Sequence, residues 1–214
     1  MASTGNNSLV MSYLDLRKAI GIIGIALPFV LAIGKIILDG PGVQNSISAY
    51  YYTVMRDVFV ASLCAIGVFL MTYRGYAKID EYAGKLAAIF AVGTALLPTN
   101  PPANATAQQM IIGRFHLGFA MCLFLTLSFF ALFLFRKTNP NGSMTGNKKI
   151  RNIIYTICGV TMLACIVLII VTYLLLPNDS PIFRFSPVFW LEALAIVAFG
   201  ISWFVKGEAI LKDE

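Results

Sequence analysis

The chain alternates between long apolar stretches and shorter segments that carry most of its polar and charged residues. A helix needs about 20 mostly apolar residues to cross the hydrocarbon core of a bilayer, and six stretches meet or approach that length. The pattern therefore predicts an all-α fold, a polytopic membrane bundle of six transmembrane helices that forms a single domain over residues 1–214. The predicted spans cover about residues 19–38, 54–73, 82–97, 110–135, 152–176 and 188–205.

The composition supports a membrane protein and excludes two other classes. Of 214 residues, 58% are hydrophobic and 12% are charged, and the mean hydropathy is +0.80. Soluble domains are about 45–50% apolar and about 25% charged, so this chain has too little polar surface for a soluble fold. Disordered chains combine low hydrophobicity with high charge. This chain has the opposite composition, so a disordered protein is the second class that is excluded. The net charge of +6 fits the basic excess of cytoplasmic loops and does not predict a nucleic-acid partner.

The positions of the basic residues predict the orientation of the spans. Twelve of the 16 lysines and arginines fall on one side of the predicted helices. These are Arg17, Lys18, Arg74, Lys78, Lys85, Arg136, Lys137, Lys148, Lys149, Arg151, Lys206 and Lys212. The positive-inside rule places this side, with both termini, in the cytoplasm, and the chain then forms three outward-pointing hairpins. The cytoplasmic charges are predicted to be solvated loop charges.

The residue types that bind metals and cofactors are scarce. The four cysteines lie in apolar stretches and form no CxxC pair, so they are interpreted as packing residues. His116 is the single histidine, and one histidine cannot form a bis-histidine haem site or a three-histidine zinc site. No metal or cofactor is predicted. Gly21 and Gly24 in the first span are small enough for close contact between helices.

An acidic residue in the last span is the most unusual polar position. Ser186 and Pro187 predict a helix start, with Ser186 as the N-cap and Pro187 at the first helical position. Glu192 then lies roughly 7–8 Å below the outer end of that helix. A carboxylate at this depth is expected either to pair with a cation or to stay protonated.

Further polar residues lie at the outer ends of the other spans. Charged groups at this depth are costly, so they usually face the protein interior or a water-filled cavity. The hairpins together supply three arginines and two carboxylates, and arginine suits carboxylate and phosphate groups. The prediction is an outward-facing polar site that binds or transports a lipid headgroup or a small anion. Its candidate residues are Ser46, Ser48, Tyr51, Arg56, Asp57, Arg114, His116, Arg184, Trp190 and Glu192.

Two interpretations of the same residues remain open. The tyrosines at 50–52 can form an interfacial aromatic belt, and pairs such as Arg114 with Glu192 can hold helices together in a structural subunit that has no ligand. A lipid hydrolase is the other alternative. The sequence has no P-loop, GxSxG or HExxH motif, and no spacing favours a Ser–His–Asp set.

The segments SISAYYYTVMRDVFV and PVFWLEALAIVAFGISWFVKGEAILKD resemble a group of uncharacterised bacterial multi-span integral membrane proteins. The resemblance runs from about Ser46 to the C-terminus and implies the bacterial cytoplasmic (inner) membrane. The arrangement is also distantly similar to the ceramidase and progestin-receptor group of membrane hydrolases, in which a Ser and an Asp join three histidines around zinc. Ser46 or Ser48 and Asp57 match the first two, whereas His116 alone cannot supply three histidines.

Overall fold

The computed structural model describes residues 3–75, 77–101, 103–137, 145–177 and 180–211. Over these residues the chain forms helices and no strand, which confirms the all-α class. The six long helices are α1 (Ser3–Asp39), α2 (Arg56–Met71), α3 (Lys78–Leu96), α4 (Ala107–Phe129), α5 (Gly146–Leu175) and α6 (Pro187–Lys206).

Each apolar stretch predicted as a span lies in one of these helices, and local signals set several of their ends. Thr106 accepts the backbone N–H of Gln109 at 3.2 Å, and the Gln109 side chain accepts the N–H of Thr106 at 2.9 Å, which is a capping box. The π-helical turn Phe130–Leu134 extends α4. α1 begins well before the predicted residue 19, because no proline or glycine interrupts residues 6–20.

The helices form a closed ring in chain order. Each helix packs against the next one, and α1 closes the ring by packing against α6. One buried cluster, which includes Tyr73, Phe130 and Trp203, fills one end of the ring. A second, with Tyr50 and Phe189, fills the other end. We call the end with Tyr73 and Trp203 the basic end and the end with Tyr50 and Phe189 the opposite end.

Four helices in the described ranges are long and apolar enough to cross a membrane. They are Tyr13–Asp39, Ala107–Leu134, Gly146–Leu175 and Pro187–Lys206. α2 has 16 residues, or about 24 Å of helix, and the first half of α3 carries four charged residues. The fold is therefore compatible with an integral membrane protein that has at least these four spans.

The contact between α1 and α6 confirms the prediction of close packing at Gly21 and Gly24. A Cβ added to Gly21 would lie 2.6 Å from the backbone nitrogen of Phe204, and one added to Gly24 would lie 3.0 Å from the Cα of Gly200. Glycine at these positions lets the two backbones approach more closely than any side chain would allow.

Gly200→Ala is expected to destabilise the bundle by about 1–3 kcal/mol through overpacking. The added Cβ would lie 2.5 Å from the backbone nitrogen of Ile25 and 2.8 Å from the carbonyl oxygen of Gly21. Gly118→Ala in α4 is the matched control, because no other described part of the chain lies within 4 Å of its added Cβ, and it is expected to stabilise by about 0.5–1 kcal/mol. Unfolding in mixed detergent micelles measures both changes, and equal effects at the two positions would contradict the packing argument.

Candidate functional site

Glu192 connects α6 to the segment that precedes α2. Its carboxylate oxygen Oε2 accepts the backbone N–H of Ile47 at 2.6 Å and that of Ser48 at 3.4 Å. These N–H groups belong to the start of a 3₁₀ helix, Ser48–Tyr52, where backbone donors have no partner within the helix. Among the described residues, no ion pair includes Glu192. Backbone donors contact the carboxyl group in place of the cation that the sequence allowed, and the alternative of a protonated acid stays a prediction.

The local start of α6 sets the depth of Glu192. α6 begins at Pro187, so Glu192 lies five residues inside the helix, as the sequence predicted. Ser186 occupies the N-cap position, but its φ of 48° is left-handed and its hydroxyl makes no capping bond. The carbonyl of Asn45 instead accepts the N–H of Phe189 at 3.0 Å. The loop before the 3₁₀ helix therefore holds the first turn of α6.

A narrow cavity of about 50 Å³ runs from Glu192 into the centre of the ring. A volume of this size holds about three to five water-sized groups. Its polar lining comes from Ser48, Thr94 and Glu192, and apolar side chains from α1, α2, α4 and α6 form most of the rest. The cavity thus has a carboxylate and a hydroxyl at one end and an apolar interior.

A second, wider space lies at the first turn of α6, and Glu192 does not line it. It is a cleft of about 220 Å³, bordered by Asn45, Tyr173 and the first turn of α6. Residues 186–188 at the start of α6 border the cleft, and Glu192, about one turn further along the same helix, lines the central cavity.

Ser48 and Glu192 are the predicted site residues that line the central cavity. The others do not line it, and several are exposed. The exposed ones are Arg56, Asp57, Arg114, Arg184 and Trp190. The structure thus does not gather the arginines around Glu192, and no ion pair in the described residues joins Arg114 to Glu192.

Arg56 and Tyr51 form a separate pair on the surface of the opposite end. The Arg56 guanidinium donates to the Tyr51 hydroxyl at 2.8 Å and lies 4.4 Å from the centre of the Tyr51 ring. The neighbouring Tyr50 is fully buried, and burial raises the pKa of its phenol. The tyrosines are therefore divided between packing, at Tyr50, and an exposed cation–π contact, at Tyr51.

Ser46 and His116 make separate backbone contacts. The Ser46 hydroxyl oxygen accepts the N–H of Ala49 at 3.0 Å. His116 is 3% exposed, and its Nδ1 lies 2.7 Å from the carbonyl oxygen of Leu97 at the end of α3. In the described part of the chain, no group of three or more His, Cys, Asp or Glu side chains could hold a metal ion.

The basic end differs from the solvated loops that the sequence predicted. Arg151 is 5% exposed, and Asp80 is 1% exposed. Lys137 pairs with Asp80 at 3.1 Å, and Arg151 lies 4.0 Å from Glu208. The expectation that these charges are solvated was wrong for Asp80 and Arg151, because the ring encloses the first two turns of α3 and α5, where these residues lie.

Sequence reasoning missed three residues of the site. Asn45, Thr94 and Tyr173 lie around the cavity and the cleft, but they are uncharged and occur in ordinary loop and span contexts. Their roles depend on which helices are neighbours across the ring.

Searches of family models, curated proteins and solved structures found no significant match to the chain.

Proposed function

We propose that this chain is a six-span protein of a bacterial cytoplasmic membrane that binds or transports a lipid through an outward-facing site around Glu192. Both termini lie in the cytoplasm in this proposal, as the distribution of lysine and arginine favours. The family of uncharacterised bacterial membrane proteins suggested by the sequence is part of the same proposal.

The outer surfaces of α2 and α3 support the six-span arrangement. Val68 and Met71 on α2 and Leu86 and Ile89 on α3 are each about half exposed. Such apolar surface is costly in water and is covered by lipid in a bilayer. The short α2 fits if the membrane thins locally around it.

The observation that carries the lipid proposal is the buried Glu192 on the wall of the apolar cavity, about one helical turn from the residues of α6 that border the cleft. The cleft of about 220 Å³ suits a headgroup, and the cavity of about 50 Å³ suits the end of one apolar chain. Because the charged group that lines the cavity is a carboxylate, the favoured headgroup carries an amine, which can donate charge-assisted hydrogen bonds. The exposed Arg114 remains a candidate for contact with a lipid phosphate.

Blocking the cavity tests this proposal. Ala120 lines the cavity, and Ala120→Phe is expected to reduce retention of phosphatidylethanolamine at least about fivefold, because the larger side chain occupies the space of the lipid chain. Native mass spectrometry of the detergent-purified protein with added phosphatidylethanolamine measures the bound fraction. Leu117→Phe on the exposed face of α4 is the control.

The possible outcomes distinguish the alternatives. Equal lipid retention in Ala120→Phe and the unmodified protein would contradict a lipid chain in the cavity and favour a structural subunit. Release of a fatty acid or headgroup from the bound lipid, lost in Ala120→Phe, would favour the lipid hydrolase.

A further inference from the structure

A second polar cluster lies at the basic end, far along the bundle from Glu192. It combines Arg17 of α1 with Lys148 and Arg151 of α5 and Lys206 of α6. The positive charges of Arg17, Lys148 and Arg151 act on Lys206, and Glu208 supplies an opposing negative charge. Residues that are distant in sequence therefore form a region of positive potential where several helices end.

Aromatic rings surround these cations. The Arg17 guanidinium carbon lies 4.3 Å from the centre of the Tyr13 ring and 5.4 Å from that of Tyr73. The Lys206 ammonium lies 5.4 Å from the ring centre of Phe135. The rings of Tyr73 and Phe135 both contact that of Trp203, at 5.3 Å and 5.1 Å. Cations and aromatic rings thus form one continuous cluster.

Among the described residues, Nε of Arg17 and Nε1 of Trp203 are buried N–H donors of this cluster with no hydrogen-bond acceptor, and both side chains contact Tyr73. Lys148, Arg151 and Lys206 have interactions within the chain, so the need for an added acceptor comes from Arg17 and Trp203. A buried donor without an acceptor is unfavourable, and native proteins usually supply one from the chain, water or a ligand.

We propose that this cluster binds a phosphate group, with Arg17 as its main ligand and the Trp203 indole as a second donor. Arginine donates two parallel hydrogen bonds to phosphate oxygens, and the surrounding lysines add favourable charge. The cluster lies at the ends of the candidate spans Tyr13–Asp39 and Pro187–Lys206, which is the depth of lipid headgroups. The phosphate can therefore come from an anionic lipid or from a soluble phosphate.

The protein carries its own reporter for this site. Its two tryptophans are Trp190, which is exposed at the opposite end, and Trp203, which is buried in the cluster. Trp190→Phe leaves Trp203 as the single indole. Inorganic phosphate or phosphatidylglycerol is added to this variant in dodecyl maltoside, which has no phosphate. Fluorescence and the hydrogen-bond-sensitive ultraviolet Raman band of the indole are then recorded.

A saturable change with inorganic phosphate identifies a soluble ligand, and a change with phosphatidylglycerol alone identifies a lipid headgroup. Either result supports the site. No change in the indole with either probe, which is the result expected if the two donors bind only water, overturns it.

Substitution of Arg17 locates the phosphate. Arg17→Gln in the Trp190→Phe background is expected to weaken binding at least about tenfold, since a charged hydrogen bond is lost. Arg56→Gln is the matched control, because Arg56 also lies over a tyrosine, at 4.4 Å, but at the opposite end. Equal weakening by both variants would indicate unspecific charge attraction and overturn the site. If Arg17→Gln does not fold, Lys148→Gln replaces it with the same expected direction.

Discussion

Asp80→Ala is expected to lower the free energy of unfolding by about 2–4 kcal/mol. Asp80 is 1% exposed. Its carboxylate accepts a hydrogen bond from the Lys137 ammonium at 3.1 Å and one from the backbone N–H of Ala77 at 2.7 Å. Removal leaves that N–H and a half-buried ammonium without their acceptor. The expected cost is below that of a fully buried pair because 32% of the Lys137 side chain remains exposed. Unfolding in mixed detergent micelles measures it.

The adjacent Glu81 provides the control for this prediction. Its carboxylate pairs with Lys85 at 2.7 Å on the surface of α3, and the hydrogen bond from Lys85 lowers the pKa of Glu81. Because solvent screens this pair, Glu81→Ala is expected to change stability far less than Asp80→Ala. A larger loss from Glu81→Ala would mean that the burial of Asp80 does not stabilise the basic end.

Glu192→Gln is expected to weaken binding of phosphatidylethanolamine at least about tenfold while the fold is retained. The glutamine oxygen can still accept the N–H of Ile47, which the carboxylate accepts at 2.6 Å. The variant loses the negative charge that would bind the lipid amine. Equilibrium binding of the lipid, followed by native mass spectrometry, measures the change.

Asp57→Asn is the matched control for Glu192→Gln. Asp57 is an exposed carboxylate at the same end of the bundle and does not line the cavity. Its substitution is expected to leave lipid binding unchanged. If the Asp57 variant loses as much affinity as the Glu192 variant, the lipid responds to the general charge of this end and the site at Glu192 is contradicted.

The sequence predicts the helices well because the length of an apolar stretch depends only on residues that are neighbours in the chain. All six apolar stretches form helices, and the Ser186–Pro187 pair places Glu192 at the correct depth in α6. The role of Ser186 was only partly predictable, since its backbone is left-handed and the carbonyl of Asn45, distant in sequence, accepts an N–H of the first turn of α6.

The candidate site is less predictable because its contacts are distant in sequence. Glu192 bonds to the backbone of Ile47, and backbone N–H groups carry no signal in the side-chain pattern. The excess of arginines over carboxylates at the outer ends of the spans predicted that arginines gather around Glu192. The Arg114 side chain is instead exposed on the outside of the bundle. The burial of Arg151 was missed for a similar reason: the enclosure of its helix depends on the whole ring.

Electron cryomicroscopy of the protein in phosphatidylethanolamine nanodiscs tests the site at Glu192 most directly. We predict a continuous non-protein density that begins in the cleft beside Tyr173, passes Glu192 and ends in the cavity near Leu127. A cavity that is empty or holds only separate water densities, with all lipid density confined to the outer surface of the ring, would contradict the proposal.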